Sequence, residues 1–413
     1  MLGHYLSRLV KQGTLTVIWP DGSTGVYGTG GTKATVRLHG RLTPLALRLR
    51  PQLVVGEAYM DGRLTIEQGS LPDVLEILIS NMGALRASRR LWFGRRWRML
   101  WRPIAQFNRA RQARKNVAHH YDLSGALYDL FLDADRQYSC AYFSEPKITL
   151  EAAQAAKKRH IAAKLKLDRP NLKVLDIGSG WGGLGLDLAR DAKADVFGIT
   201  LSTEQLALAN RRAAAADLSD RCRFANLDYR EVRGPFDRIV SVGMFEHVGV
   251  KYYDVFFGKL RQLLVPDGTA LLHTIGRTDG PGATNPWIAK YIFPGGYTPA
   301  LSEVTASIER CGLYVTDVEI LRLHYAETLK EWRIRFRKNW AKAAAIYDER
   351  FCRMWEFYLA CSEMTFRYDH LVVFQIQLAK RVDALPVVRD YMMDAERGTR
   401  TGAQRGTQAH EAA

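Results

Sequence analysis

Apolar and polar positions follow two different periods along this chain, and the change from one to the other divides it. Up to about residue 80 the period is two. Thr14-Leu-Thr-Val-Ile-Trp19 and Ala34-Thr-Val-Arg-Leu-His39 set apolar side chains on one face of an extended strand. Asp21-Gly22, the glycines of 28–31 and Asp61-Gly62 punctuate these runs. A small sheet with hairpins is expected, closed by a helix over 71–79. From about Asn116 onward short apolar runs alternate with helical spacing. Strands are predicted over 173–179, 195–201, 223–227, 236–242, 269–275, 313–321 and 371–378, with helices such as 204–216 and 252–264 between them. That alternation predicts an α/β fold, a doubly wound and mostly parallel seven-stranded sheet. A long helical insert, 328 to about 367, separates the last two strands. Its Leu329, Trp332, Phe336, Trp340, Tyr347, Phe351, Trp355 and Tyr358 recur every three or four positions. Such a stripe covers a core, and a few of its members are candidates to line a hydrophobic ligand site.

At 413 residues the chain exceeds one ordinary domain. The expected organisation is a small α+β domain over 1–85, a basic, aromatic-rich linker helix over 86–115, the large α/β domain over 116–395, and a disordered polar tail over 396–413. Five cysteines (140, 222, 311, 352 and 361), without a Cys-x-x-Cys pair, argue against a disulfide framework and a zinc site, so no metal is expected and a reducing cytoplasm is. Residues 1–10 lack a leader pattern, and no run approaches a membrane span, so a soluble chain is expected.

The net charge of +16 is unevenly placed: residues 1–120 hold 19 Lys and Arg against 6 Asp and Glu. Eleven basic residues fall between Arg86 and Lys115, interleaved with Trp92, Phe93, Trp97, Trp101 and Phe107. Arginines beside aromatics suit an anionic membrane surface, where rings sit at headgroup level. A linker helix packing on its neighbour and a nucleic-acid groove are the competing readings; the membrane is preferred and no nucleic-acid partner is expected.

The chemistry begins at Val174-Leu-Asp-Ile-Gly-Ser-Gly-Trp-Gly-Gly183. A buried strand breaks into a glycine turn, and helical spacing resumes at Leu184. Only glycine lets backbone approach a ligand that closely, so this is a cofactor cradle. Asp-x-Gly-x-Gly-x-Gly resembles the first motif of the S-adenosylmethionine-dependent methyltransferases. It is not the dinucleotide fingerprint, because no acid follows the next strand, Val196-Phe-Gly-Ile-Thr200.

Further motifs carry a more specific resemblance: His120-Tyr-Asp-Leu123, Gln137-Tyr-Ser-Cys-Ala-Tyr-Phe143, Gly198-Ile-Thr-Leu-Ser202 with Gln205, Phe236 to Gly249 with Glu246-His247, Leu272-His-Thr-Ile-Gly276 and Tyr291-Ile-Phe-Pro-Gly-Gly296. Together they resemble the cyclopropane-fatty-acyl-phospholipid synthases and the related mycolic acid cyclopropane synthases, over roughly 116–380. The N-terminal part is similar to the extra domain of the bacterial phospholipid enzymes. Two positions depart from the pattern: Ser179, where many members carry Cys, and Ser124-Gly125, where Gly-Asn is commoner.

The resemblance implies a methyltransferase-type Rossmann-like sheet, S-adenosyl-L-methionine as co-substrate, and transfer of its methyl to the cis double bond of an unsaturated phospholipid acyl chain, closing a cyclopropane ring. It also implies bound bicarbonate as the base, held by Cys140, Glu246, His273, the backbone N–H of Ile275, and Tyr325. Cofactor contacts are implied for Tyr138 and Ser139 at the methionine end, Gly178 and Gly180 in the cradle, and Thr200, Leu201 and Gln205 near ribose and adenine. Asp228, beside Tyr229, is a candidate acceptor for the adenine amine, and Asp176 favours the positive sulfonium. Taken singly, Cys140 reads as a small buried hydrophobe, His273 as a core histidine and Glu246 as a helix cap. A homodimer, associated peripherally with the inner face of the cytoplasmic membrane, is the expected state. Methyl branching instead of ring formation, and a catalytically idle lipid- or nucleic-acid-binding module, are the rival functions.

Overall fold

The structure is a computed structural model that describes residues 2–40, 51–82 and 124–398. The basic stretch over 86–115 and the His120-Tyr-Asp-Leu motif lie outside the described residues.

The N-terminal unit contains α1 (Leu2–Leu9), β1 (Gln12–Ile18), β2 (Thr24–Tyr27), β3 (Thr29–Leu38), α2 (Pro51–Met60), β4 (Leu64–Gln68) and α3 (Leu71–Ser80). Its sheet order is β2-β1-β3-β4. The hairpin expectation holds for β1–β2; β3 and β4 pair antiparallel but across the intervening α2, and β1 and β3 run parallel. The alternating pattern turns Leu15, Val17, Ala34, Val36 and Leu38 inward against Val74 and Ile77 of α3. Ser70 caps that helix in a reciprocal capping box with Asp73.

The large unit begins with the short α4 (Gly125–Tyr128) and α5 (Leu150–Lys164). There follow β5 (Lys173–Ile177), α6 (Gly183–Asp191), β6 (Asp195–Thr200), α7 (Thr203–Ala215), β7 (Cys222–Asn226), β8 (Phe236–Val242), α8 (Tyr253–Leu263) and β9 (Leu264–Arg277). Then come α9 (Pro286–Tyr291), α10 (Leu301–Arg310), β10 (Tyr314–Leu321), α11 (His324–Lys338), α12 (Trp340–Ile346), α13 (Glu349–Tyr368) and β11 (Leu371–Ala379). All seven predicted strands form one sheet of order β10-β11-β9-β8-β5-β6-β7. β11 runs antiparallel to both neighbours, and every other pairing is parallel. Strand order reverses at β5, which pairs with β6 on one side and β8 on the other; an open α/β sheet holds its ligand outside the carboxyl ends of the strands at such a point.

The helical insert is α11, α12 and α13. Its stripe packs as expected: Leu329, Trp332, Phe336, Trp355 and Tyr358 are buried in one cluster with Tyr128, Phe131, Cys140 and Tyr325. The same cluster reaches the N-terminal unit through Met60, Leu71, Leu75 and Ile79, so α13 is covered by α2 and α3. Trp287 closes the contact, its indole N–H on Met60 Sδ at 3.3 Å. The ordered chain runs past residue 395. Residues 390–398 are helical and Glu396 Oε2 sits 3.2 Å from His160 Nδ1, while the remaining tail, 399–413, lies outside the described residues.

Candidate active site

The cradle forms where β5 ends. Asp176 is its last fully sheltered polar residue, and Gly178 and Gly180 then take positive φ values of 85° and 54°. A Cβ at Gly178 would meet Met244 Cβ at 2.8 Å, whereas one at Gly180 would project into open space, where a ligand can lie. The crevice beyond is open to solvent and brings these glycines together with Asp176, Thr200, Gln205 and Asp228 in one lining.

All ten residues expected to contact the cofactor line this crevice: Tyr138, Ser139, Asp176, Gly178, Gly180, Thr200, Leu201, Gln205, Asp228 and Tyr229. Thr200 and Gln205 are tied together, the threonine hydroxyl donating to Gln205 Oε1 at 2.9 Å. Ser202 caps α7 by accepting from Gln205 N–H. Asp228 is already engaged, since Arg230 donates to both its carboxylate oxygens at 2.8 and 2.6 Å. An adenine amine would therefore share that carboxylate with a guanidinium that itself lines the crevice.

The five residues assigned to the base site lie outside the crevice lining; a direct contact joins Glu246 to Ile275, while Cys140 and Tyr325 belong to the aromatic cluster that Ile275 packs against. Glu246 sits in the 3-10 turn after β8, between crevice residues Met244 and His247. Its Oε1 accepts the Ile275 N–H at 2.6 Å, so that N–H, expected to face an anion, is spent on the carboxylate. Glu246 Oε2 is buried and has no hydrogen-bond partner of good geometry. Burial raises the pKa of Glu246 against the opposing Glu246 and Ile275 N–H groups and the Thr274 hydroxyl. His273 and Ile275 alternate on β9 and so share one face of the sheet. Gln375 Nε2 donates to His273 Nδ1 at 3.1 Å, which leaves the ring proton on Nε2. Burial, aided by Lys157, lowers the His273 pKa to about 3, so the ring is a neutral donor. Cys140 is a buried thiol whose pKa is driven up by burial; it donates to the Ala141 carbonyl at 3.3 Å. Tyr325 packs edge-on to Trp332 and against Phe366.

Several residues of the site carry no sequence motif. Lys157 and Gln154 reach the crevice strap, residues 137–139, from α5: Lys157 Nζ holds Gln137 Oε1 and Ser139 Oγ, and Gln154 Nε2 holds the Gln137 and Ser139 carbonyls. Trp181, Arg136 and His247 also line the crevice, and burial lowers the His247 pKa to about 4. Signals were present for Trp181, inside the glycine motif, and for His247, next to Glu246 in its motif.

Sheet order, the reversed last strand and a glycine-lined crevice at the carboxyl end of β5 are those of the methyltransferase fold, and the matches below make the chain an S-adenosylmethionine-dependent methyltransferase. Within that class the chain belongs to the mycolic acid cyclopropane synthetase family, whose model matches residues 108–376. Residues 2–89 match a separate domain of unknown function. The cyclopropane-fatty-acyl-phospholipid synthase of Escherichia coli is 40% identical over 64% of this chain and 67% of its own length. The tuberculostearic acid methyltransferase UfaA1 of Mycobacterium tuberculosis is 36% identical over 91% of this chain and 90% of its own. Among solved structures, the cyclopropane synthase MmaA2 from M. tuberculosis superposes with a TM-score of 0.62 at 34% identity, over 66% of this chain and 99% of that one. Mycolic acid cyclopropane synthase CmaA1, complexed with SAH and CTAB, gives 0.61 at 34% identity, over 64% and 97%.

Proposed function

We propose that this protein methylates the cis double bond of an unsaturated phospholipid acyl chain and closes it to a cyclopropane ring. The observation that carries the reading is the buried, half-partnered Glu246 carboxylate in the wall between the glycine crevice and the aromatic cluster. S-adenosylmethionine, when bound in the crevice, supplies an electrophilic methyl group that an alkene attacks without an activated nucleophile. The protein's tasks are then alignment, dryness, and removal of one proton.

Tyr138 belongs to both regions: it lines the crevice and stacks at 5.2 Å on Trp332 of the aromatic cluster. An apolar chain threaded beside Trp332, Tyr325 and Phe366 is shielded from water by their rings. The negative faces of those rings stabilise the cation that develops on the neighbouring acyl carbon. Loss of a proton from the added methyl closes the ring. Glu246 Oε2 and the His273 Nε2–H offer one acceptor and one donor, which suit a hydrogen carbonate ion, and Cys140 and Tyr325, buried in the cluster against which Ile275 packs, would complete its surroundings. Bicarbonate held there would supply the proton acceptor. The lipid reaches the site from an anionic membrane surface on which the basic segment 86–115 docks, at the inner face of the cytoplasmic membrane.

Methyl branching is the second reading, favoured by one observation: a relative that aligns over 91% of the chain is named a tuberculostearic acid methyltransferase. Both outcomes begin with the same transfer. If a 1,2-hydride shift first moves the cation to the methylated carbon, proton loss from the methyl gives an exocyclic methylene with the same mass as the ring, which mass alone does not distinguish; a saturated methyl branch requires a further hydride donor and is heavier by two hydrogens. The test is incubation of the chain with methyl-labelled S-adenosylmethionine and dioleoyl phosphatidylglycerol–phosphatidylethanolamine vesicles. Proton NMR of the recovered acyl chains should show upfield cyclopropane signals; vinylidene or methyl-branch signals instead would favour the second reading. No label in lipid would refute both.

A further inference from the structure

Lys157 is 1% exposed, yet it forms no ion pair among the described residues. Its ammonium donates to two neutral oxygens, Gln137 Oε1 at 2.6 Å and Ser139 Oγ at 2.9 Å. An ammonium has three N–H groups, so one remains, and Lys157 lines the crevice. A buried ammonium with no carboxylate in direct contact is unfavourable unless a ligand brings one. Burial accordingly lowers its pKa to about 8, against the raising influence of Asp133 and Asp135. Asp176, in the same lining, has the opposite deficiency. It is 2% exposed, and its Oδ2 has no hydrogen-bond partner. Burial pushes its pKa up to about 7, with Lys157 the charge that pulls it down.

One crevice therefore holds a buried cation and a buried carboxylate, each with an unused hydrogen-bonding valence. A ligand end carrying both charges, an α-amino acid zwitterion, satisfies both at once. We propose that Lys157 receives the α-carboxylate of the methionine end of S-adenosylmethionine, while Asp176 receives its α-ammonium. This assignment rests on the cofactor reading above and extends it to specificity. A decarboxylated sulfonium, or a nucleoside thioether without the amino acid, leaves Lys157 uncompensated and binds more weakly.

The variant Lys157→Met is close in length and removes a buried charge. Gln154 still holds the Gln137 and Ser139 carbonyls, so the strap keeps its anchor. Calorimetric titration of the full chain with S-adenosylhomocysteine and with 5′-methylthioadenosine, which lacks the amino-acid arm, separates the roles. A charge-assisted hydrogen bond in a buried site predicts about a 10- to 100-fold loss of S-adenosylhomocysteine affinity in Lys157→Met. Binding of 5′-methylthioadenosine should stay nearly unchanged, and Lys157→Arg should retain more of the affinity than Met does. Unchanged S-adenosylhomocysteine binding, or an equal loss for both ligands, would overturn the assignment while leaving the cofactor reading standing. Failure of the wild type to bind S-adenosylhomocysteine would overturn the cofactor reading itself.

Discussion

Glu246→Gln is the most discriminating perturbation of the base site. Gln keeps the shape and an oxygen to accept the Ile275 N–H, now at 2.6 Å on Oε1, but replaces the partnerless Oε2 with an amide that can only donate. The site loses the carboxylate oxygen that would accept from a hydrogen carbonate O–H, and with it the hold on the proposed base. A positioned acid–base group contributes about 10²–10⁴ in rate, and turnover should fall by that amount. Glu246 does not line the crevice, so S-adenosylhomocysteine affinity should change little. Stability should move the other way. The folded pKa of Glu246 is raised by burial, so its contribution is fully present below the unfolded value and is lost as pH rises through the folded one. Gln is spared that loss, and the melting temperature of the variant should gain on the wild type as pH increases through this range. Methyl transfer to vesicles, calorimetric binding and thermal melts at several pH values measure the three quantities. Wild-type turnover in Glu246→Gln would refute the assignment, and a wild type indifferent to depletion of dissolved carbonate would count against bicarbonate as base.

Three further outcomes follow from particular contacts. Asp176, with a pKa near 7 in the free protein, should lose its proton when a ligand ammonium arrives. Binding of S-adenosylhomocysteine at about pH 6 should therefore release protons, seen as a dependence of the binding heat on buffer, and Asp176→Asn should abolish the release. Gly56→Ala would drive a methyl to 2.5 Å from the fully buried Trp287 ring and 3.1 Å from Phe357. Overpacking of about 1–3 kcal/mol should exceed the helix gain of up to about 1 kcal/mol and lower the melting temperature; a rise would show that the contact between α2 and α9 yields easily. Replacing Arg89, Arg90, Arg95, Arg96 and Arg98 with Gln should weaken co-sedimentation with anionic vesicles and reduce the salt dependence of that binding, sparing S-adenosylhomocysteine. Unchanged co-sedimentation would reduce the segment to a linker.

The large sheet was legible because its strands are buried on both faces and read as continuous apolar runs. β9 is longer than its predicted 269–275 because Val265-Pro-Asp-Gly268 has the composition of a turn, although Leu264 already pairs with Phe236 across a register shift. The parallel β1–β3 pairing escaped the reading for another reason. Local turn signals announce hairpins, and they cannot tell which strand a returning chain will lie beside. The cofactor residues were legible through motifs, Lys157 and Gln154 were not. On α5, Gln154, Lys157, Lys158, His160 and Lys164 are all buried, a set that the polar/apolar pattern assigns to a solvated face. A buried polar side chain is recognisable only from its partners, and those lie on the strap and on β10, far away in sequence.

One such partner bears on the choice of cofactor. In dinucleotide folds the helix that follows the glycine turn offers its N-terminal N–H groups and positive dipole end to a pyrophosphate. The equivalent helix here, α6, begins at Gly183, and a Cβ on that residue would meet the Asp135 carboxylate at 2.4 and 2.6 Å. An acid of the protein's own thus stands beside the first residue of that helix. Lys158 and Arg212 hold it there; although burial raises the Asp135 pKa, those two cations outweigh burial and keep the carboxyl below its ordinary value. A phosphate brought to this end of α6 would have to compete with that carboxylate for Lys158 and Arg212. A cofactor with a cationic sulfonium and no phosphate avoids that competition. The end of β6 leads to the same choice from a different direction, since Thr200 and Gln205 stand where a dinucleotide site would place an acid for the ribose.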